Sequence, residues 1–202
     1  GRFEVGKESV SVASGYLEGI GFRYDLVSSA GPLRMTPVAV QTNGFEIRGP
    51  EGTASLAGRV PFDRQKKSNF RFKLQNLSLA PANQFVSEPD FTAVRLSLGL
   101  ESHGSRARPD LSGDLTLSGL TYADYGPFTL DSDYELANTR ATVDWGVSAN
   151  DPEMRLLEGE FSIPLGRSFP AQFQVPEDES IEANLRLPET PIADYERFVP
   201  TL

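Results

Sequence analysis

The chain has 202 residues, and its 19 Lys and Arg against 28 Asp and Glu give a formal net charge of −9. This acidic balance leaves no general positive field for nucleic-acid backbones or anionic membrane surfaces. The absence of cysteine excludes a disulfide framework, thiolate metal sites and a Cys nucleophile. Only 39% of the residues are apolar, and 18 Gly with 15 Pro indicate a chain interrupted by many turns.

The sequence begins at Gly1 rather than Met and ends at Leu202 without a polar tail, so we expect a fragment of a longer protein. No apolar run approaches the roughly 18 to 20 residues of a membrane-spanning helix, and no signal-peptide pattern is present. We therefore expect any anchor or export signal of the parent protein outside these 202 residues.

Apolar and polar residues alternate in many short stretches, which predicts strands with one apolar and one polar face. In the first half, the apolar positions are Val10 and Val12, the even positions from 20 to 26, Val38 and Val40, Phe45 and Ile47, Phe70, Phe72 and Leu74, and Val94, Leu96, Leu98 and Leu100. In the second half, they are Leu115 and Leu117, Val143, Trp145 and Val147, Phe161, Ile163 and Leu165, Phe173 and Val175, and Ile181, Ala183, Leu185 and Leu187.

Turn-forming pairs separate these stretches, since Gly admits positive φ and Pro removes a ladder donor. The pairs are Gly31-Pro32, Asn43-Gly44, Gly49-Pro50, Gly126-Pro127 and Asp151-Pro152. The one short basic run, Arg64 with Lys66 and Lys67, is predicted to be a solvated hairpin tip. The spacing of about 8 to 12 residues per strand and turn is typical of an all-β chain.

Helix is predicted at only two short places. Residues 190–200 have Thr190 as N-cap, Pro191 at the first helical position and Pro200 as terminator. Residues 80–86 are a weaker counterpart that also follows a strong strand pattern. We therefore expect little helix in the chain.

The sequence also resembles itself, which bears on architecture. Residues 56–62 correspond to residues 157–163, with Gly58 matching Gly159, and Gly31-Pro32-Leu33 corresponds to Gly126-Pro127-Phe128. We therefore predict one continuous unit over residues 1–202 built from two degenerate repeats, approximately 1–90 and 91–202.

Nothing in the sequence predicts catalysis, a metal site or a cofactor. The single histidine, His103, lies in a polar loop pattern, and no serine lies in a G-x-S-x-G elbow. Asp131 and Asp133 lack the later ligands and the glycine of a calcium loop. We therefore predict a protein that is not an enzyme.

The informative feature is the repeated apolar face, which has two interpretations. It can be the sealed core of a β-sandwich or barrel, which predicts a bacterial surface or periplasmic module that binds carbohydrate or protein. It can instead line an open groove, formed by a repetitive curved sheet, that partly covers lipid acyl chains. For the groove, the predicted lining residues are Phe70, Phe72, Leu74, Leu96, Leu98, Leu115, Leu117, Phe161, Ile163, Phe173, Val175, Leu185 and Leu187.

Residues 157–165, 169–176 and 181–187, followed by the turn to Pro200, resemble the TamB family of the AsmA-like superfamily. In that family a glycine-containing strand leading to an apolar-Pro-apolar stretch precedes strands of this kind and a short Leu- or Phe-rich turn. Residues 58–86 are similar to the same pattern, and residues 110–119 resemble the family's strand repeats. The resemblance covers most of the chain and contains no invariant catalytic signature.

The resemblance implies a taco-shaped, U-shaped β-groove with an apolar interior. The family's proteins are anchored in the inner membrane, span the periplasm of Gram-negative-type bacteria and work with TamA, an outer-membrane barrel of the Omp85 class. The implied roles are phospholipid transport to the outer membrane and assembly of outer-membrane proteins. Phospholipid acyl chains and unfolded outer-membrane β-strands, captured on a free sheet edge, are then the expected partners.

Overall fold

The computed structural model describes the chain in eleven stretches. They are residues 2–5, 10–19, 22–28, 31–79, 95–105, 107–108, 110–122, 125–137, 139–149, 154–165 and 179–189. Both helices expected from the sequence, at residues 80–86 and 190–200, lie outside the described residues, as do Phe173 and Val175. No helix in the described stretches is long and apolar enough to cross a membrane.

The described residues form thirteen strands and no helix, so the all-β prediction is confirmed. The strands are β1 (Arg2–Val5), β2 (Val10–Gly19), β3 (Phe22–Ser28), β4 (Leu33–Met35), β5 (Ala39–Gly49), β6 (Gly52–Pro61), β7 (Asn69–Ser78), β8 (Arg95–Ser102), β9 (Leu111–Tyr122), β10 (Tyr125–Ala137), β11 (Arg140–Ala149), β12 (Arg155–Pro164) and β13 (Glu182–Arg186).

All thirteen strands belong to one antiparallel sheet that stays open. Neighbours along the chain are neighbours in the sheet, except that β4 pairs with β2 and β5 beside the main path. In the described part of the chain, β1 pairs with β2 alone and β13 with β12 alone, so both edges are unclosed. The predicted groove-forming sheet is thereby confirmed, whereas a closed sandwich would need a second sheet packed on the first.

Irregularities in the ladder keep successive apolar residues on one face. Between the pairs Thr42–Gly58 and Phe45–Leu56, β5 contains one residue more than β6, which defines a β-bulge at Asn43-Gly44. The Thr42 hydroxyl accepts a hydrogen bond from the Gly44 N–H at 3.2 Å inside this bulge. The bulge returns Phe45 to the face of Leu56, which plain alternation from Thr42 would not do.

Two further bulges act in the same way. In β7 the backbone of Asn76 has a φ of 52°, and Leu77 beyond it pairs with Leu96. In β9 Gly119 has a φ of 76°, and Leu120 beyond it pairs with Phe128. Each bulge therefore places the next apolar side chain on the same face as the preceding ones. Strict alternation along the sequence would have placed it on the opposite face.

Two turn predictions are wrong for related reasons. Asn43-Gly44 lies inside β5 as a bulge instead of ending a strand, because the flanking segments both pair with β6. Gly126-Pro127 lies inside β10, where the register with β9 is also irregular. Gly31-Pro32 and Gly49-Pro50 are turns as predicted, and the basic run at residues 64–67 is an exposed loop between β6 and β7. Asp151-Pro152 lies outside the described residues.

Little of the sheet is deeply buried. Among the described residues, the buried hydrophobic residues are Ala39, Phe45, Ala149 and Leu165, while most strand residues are half-buried. Since a single sheet covers neither of its own faces, its stability depends on backbone pairing and on side-chain contacts between adjacent strands. The division into two repeats stays a prediction.

The polar face contains an unfavourable arrangement of charge. Asp114, Asp133, Asp144 and Glu160 are direct cross-strand partners on β9, β10, β11 and β12. Like charges directly opposite each other destabilise a sheet. Two ion pairs from adjacent rows partly compensate, since Arg155 lies 2.7 Å from Asp131 and Arg186 lies 3.5 Å from Glu158.

We therefore expect Asp133→Asn to stabilise the sheet by about 0.5 to 1 kcal/mol, because it removes two like-charge contacts at once. The midpoint of urea unfolding at low salt measures the effect, which should shrink in about 1 M NaCl, where charges are screened within roughly 3 Å. The matched control is Glu135→Gln on the same strand and face, whose cross-strand partners are the neutral Ser112 and Thr142. An equal gain in both variants would contradict the explanation.

Candidate functional site

The strand register assembles a continuous row of mostly apolar residues across the sheet. Cross-strand partners share a face, so a chain of partners defines a line perpendicular to the strands. One such line crosses ten strands, from β3 to β13 without β4, which lies beside the main path. Its members are Leu26, Ile47, Ala54, Leu74, Leu98, Leu115, Ser132, Trp145, Gly159 and Leu185.

Three parallel rows widen this surface, which we call the apolar face. Phe45, Leu56, Phe72, Leu100, Gly113, Tyr134, Val143, Phe161 and Ala183 form the second row. Leu77, Leu96, Leu117, Leu130, Val147 and Leu157 form the third. Phe70, Ser102, Leu111, Leu136, Ala141 and Ile163 form the fourth.

The structure brings ten of the thirteen predicted lining residues together on one face. Phe70, Phe72, Leu74, Leu96, Leu98, Leu115, Leu117, Phe161, Ile163 and Leu185 all lie in these four rows. Leu187 lies just beyond the end of β13, two positions after Leu185. Whether these residues bind lipid stays a prediction.

The apolar face is most accessible near its C-terminal edge. Leu185 and Leu187 are 68% and 69% exposed, and Phe161 on the neighbouring strand is 40% exposed. In the middle of the sheet, Phe72, Leu98 and Leu117 are half-buried by their neighbours. In the described part of the chain, this exposed end next to a half-buried centre gives a surface that an apolar chain can reach from the side of β13.

Near this end, two aromatic rings form a flat platform. Trp145 and Phe161 are stacked, with ring centroids 6.1 Å apart and planes inclined by 13°. The Trp145 ring lies over Gly159, where a Cβ would approach the indole Cε2 to 2.7 Å. Gly159 therefore permits the platform, because any larger residue would displace the indole. The Trp145 Nε1 is buried without a hydrogen-bond partner among the described residues, so this platform offers apolar surface rather than a polar contact.

A tyrosine lies across the middle of the apolar face. The Tyr134 ring lies over Gly113, and its hydroxyl donates a 2.5 Å hydrogen bond to the Gly99 carbonyl on β8, one strand beyond. Burial, with a smaller contribution from the carboxylate of Asp114, raises the pKa of the Tyr134 hydroxyl above its ordinary value. At physiological pH the hydroxyl is therefore neutral, and its hydrogen bond links β10 to β8.

The sequence reasoning missed the contribution of β10. Its even positions Phe128, Leu130, Tyr134 and Leu136 lie on the apolar face, but Ser132 interrupts the pattern. The alternation of apolar and polar residues across positions 128–136 could have identified this strand from the sequence. Trp145 was assigned to a strand but not to the lining, although it belongs to the central row.

The chemistry available on this surface is association with apolar groups. In the stretches that the structure describes, no group of three or more His, Asp or Glu residues is arranged to hold a metal ion. His103 is exposed, as expected for a loop residue, and its Nε2 lies 3.6 Å from a carboxylate oxygen of Glu101.

Comparisons with known proteins give no match. No protein-family model matches the chain. No curated protein and no solved structure is significantly similar to it.

We expect Tyr134→Phe to destabilise the protein by about 1 kcal/mol near pH 8, since it leaves the Gly99 carbonyl without this donor. A hydroxyl whose folded pKa is raised contributes stability below its unfolded pKa of about 10, and this contribution is lost as the pH rises through the folded value. The difference between wild type and variant should therefore shrink at about pH 11.

Urea unfolding at both pH values measures this difference. The control is Tyr16→Phe. Tyr16 is 58% exposed, so the loss of its hydroxyl should change stability little at either pH. A difference for Tyr134→Phe that stays constant with pH would contradict the assigned role of its hydroxyl.

Proposed function

We propose that this chain is a non-enzymatic, lipid-conducting groove segment of a TamB-like periplasmic protein. The observation that carries the proposal is the apolar face, whose central row crosses ten strands while few described hydrophobic residues are deeply buried. A face of this extent normally packs against a second layer or binds an apolar partner. In the described residues, no second sheet or helix covers it.

The dimensions of the apolar face suit acyl chains. Ten strands at a spacing of about 4.8 Å extend over roughly 40 Å. One leaflet of a bilayer accounts for about half of the roughly 30 Å hydrocarbon thickness, so an acyl chain fits along the rows with room to move. The rows run from strand to strand, and movement along them would carry lipid from one edge of the sheet to the other.

The energetics favour partial cover over a deep pocket. At about 0.8 kcal/mol per methylene, exposing an acyl chain of roughly 15 methylenes to water costs about 12 kcal/mol. A continuous half-covered surface lowers this barrier at every step, whereas an enclosed cavity would hold the chain at one place. Transport along such a surface requires no catalytic group.

The sequence resemblance extends the proposal to the whole parent protein. A TamB-like parent would be anchored in the inner membrane, and a TamA-like barrel of the Omp85 class would receive phospholipid and outer-membrane proteins at the outer membrane. The unclosed edges of the described sheet, at β1 and β13, would provide backbone groups for capturing unfolded outer-membrane β-strands.

Photo-crosslinking tests whether acyl chains occupy the apolar face. A photoreactive residue at Leu117, Phe161 or Leu185 should crosslink phospholipid, and the folded chain should bind a fluorescent fatty acid stoichiometrically. The matched positions on the polar face are Thr116 and Glu160, which alternate with Leu117 and Phe161 and should not crosslink. Equal labelling of both faces, or no labelling at all, would refute the lipid groove.

Strand capture requires a separate measurement, because it uses the sheet edge rather than the apolar face. Peptides with outer-membrane strand sequences should bind the folded chain without displacing the fluorescent fatty acid if they pair with a free edge. A failure to bind would remove this role and leave lipid binding untouched.

A charge on the apolar face should abolish lipid binding without unfolding the protein. Leu117 and Ile163 are half-buried, so an arginine at either position can keep its guanidinium hydrated at the surface. We expect Leu117→Arg and Ile163→Arg to weaken fatty-acid binding at least tenfold while the melting temperature falls by only a few degrees. In a parent with transport activity, the same changes should block lipid transfer.

The control is Thr116→Arg, which adds the same charge to the opposite face of β9 and should leave fatty-acid binding unchanged. In a sealed core, an unpaired buried charge costs several kcal/mol. Unfolding of Leu117→Arg together with intact Thr116→Arg would therefore show that the apolar face is covered.

A further inference from the structure

The polar face contains a cleft that the lipid proposal does not use. The cleft has a volume of ≈ 490 Å³ and lies where the turn at Gly31-Pro32 approaches the β5 bulge. Its polar side chains are all neutral donors and acceptors or cations, namely Arg34, Gln41, Thr42, Asn43, Arg59 and Asn69. No carboxylate is among the described residues that line it.

The strand register explains why these side chains meet. Arg34 on β4 pairs with Gln41 on β5, Gln41 pairs with Arg59 on β6, and Arg59 pairs with Asn69 on β7. Direct partners share a face, so all four residues form one row on the polar side of the sheet. The two arginines are separated by two strand spacings, or about 10 Å, and their long side chains can reach one group between them.

The charges of this row are not neutralised by the described part of the protein. On the same face, Arg48 is paired with Glu46 and Arg71 with Glu101, and these hydrogen-bonded carboxylates raise the pKa of both guanidinium groups. Neither Arg34 nor Arg59 has a carboxylate within ion-pair distance among the described residues, and both are exposed. Two arginines without a carboxylate partner among the described residues therefore line one cleft in a chain of net charge −9.

We propose that this cleft binds a phosphate group carried on a small polar ligand. Two guanidinium forks supply charge-assisted donors suited to phosphate oxygens, and the three amide side chains can bond the hydroxyl groups of an attached glycerol or sugar. The cleft volume exceeds what a bare phosphate fills, which favours a phosphate ester over the free ion. The cleft lies on the opposite side of the sheet from the apolar face, so the inference does not rest on acyl-chain transport.

The ligand has two sources that share this chemistry, a soluble phosphate ester or the headgroup of a phospholipid. Isothermal titration calorimetry of the full chain with sn-glycerol 3-phosphate tests the soluble source, with uncharged glycerol and inorganic phosphate as comparisons at constant ionic strength. Co-sedimentation with phosphatidylglycerol vesicles tests the lipid source. Binding in either arm supports the site if it depends on the two arginines.

We expect Arg34→Gln and Arg59→Gln each to weaken binding by about tenfold or more, since each removes charge-assisted hydrogen bonds. Both positions are exposed, and thermal melting should show folded variants. The matched control is Arg71→Gln, which removes one positive charge from the same face outside the cleft and should change binding less than twofold.

Three results would overturn the proposal. These are no binding of glycerol phosphate, inorganic phosphate or vesicles by the wild-type chain, equal losses in Arg71→Gln and the two cleft variants, and full competition by chloride at the same ionic strength. The third result would indicate screening of a general charge rather than recognition of phosphate. Loss of fatty-acid binding in Leu117→Arg with retained phosphate binding would show that the two surfaces act separately.

Discussion

The structure depends on keeping strand register across a sheet that no second layer covers in its described part. Because side chains alternate with a period of two, a slip of one residue would move a whole strand's apolar residues to the opposite face. The bulges at Asn43-Gly44, Asn76 and Gly119 show how strictly this constraint is met. Each one adds a residue where plain alternation would have turned Phe45, Leu77 or Leu120 towards the polar side.

Register also explains how one sheet presents two surfaces of different chemistry. On one side, most partners are Leu, Phe, Val or Ile, and the Tyr134 and Trp145 rings lie over Gly113 and Gly159. On the other side, arginines gather around β4 to β7, and a line of carboxylates crosses β9 to β12. The polar face therefore has opposite charge around β4 to β7 and around β9 to β12, although the chain as a whole is acidic.

The same arrangement limits how the protein can be stabilised. A sandwich buries its apolar rows against a second sheet, whereas here contacts between adjacent strands and the backbone ladder have to supply most of the stability. Two such contacts are the hydrogen bond from the Tyr134 hydroxyl to Gly99 and the ion pair between Arg155 and Asp131. They link strands that a packed core would otherwise hold together. A largely half-buried apolar face is then compatible with folding.

The sequence by itself determined that the chain is all-β, and ten of the residues that it predicted as lining lie on the apolar face. Alternation at Phe70 to Leu74, at Leu115 and Leu117, and at Phe161 and Ile163 is a local property, and local properties are readable from spacing alone. Only the tertiary structure decided that these stretches share one face, that Asn43-Gly44 is a bulge rather than a turn, and that β10 belongs to the row. Arg34 and Arg59 lie 25 positions apart and meet only because β4, β5 and β6 pair in one register. Pairing between strands is set by the whole sheet, so no local pattern contains it.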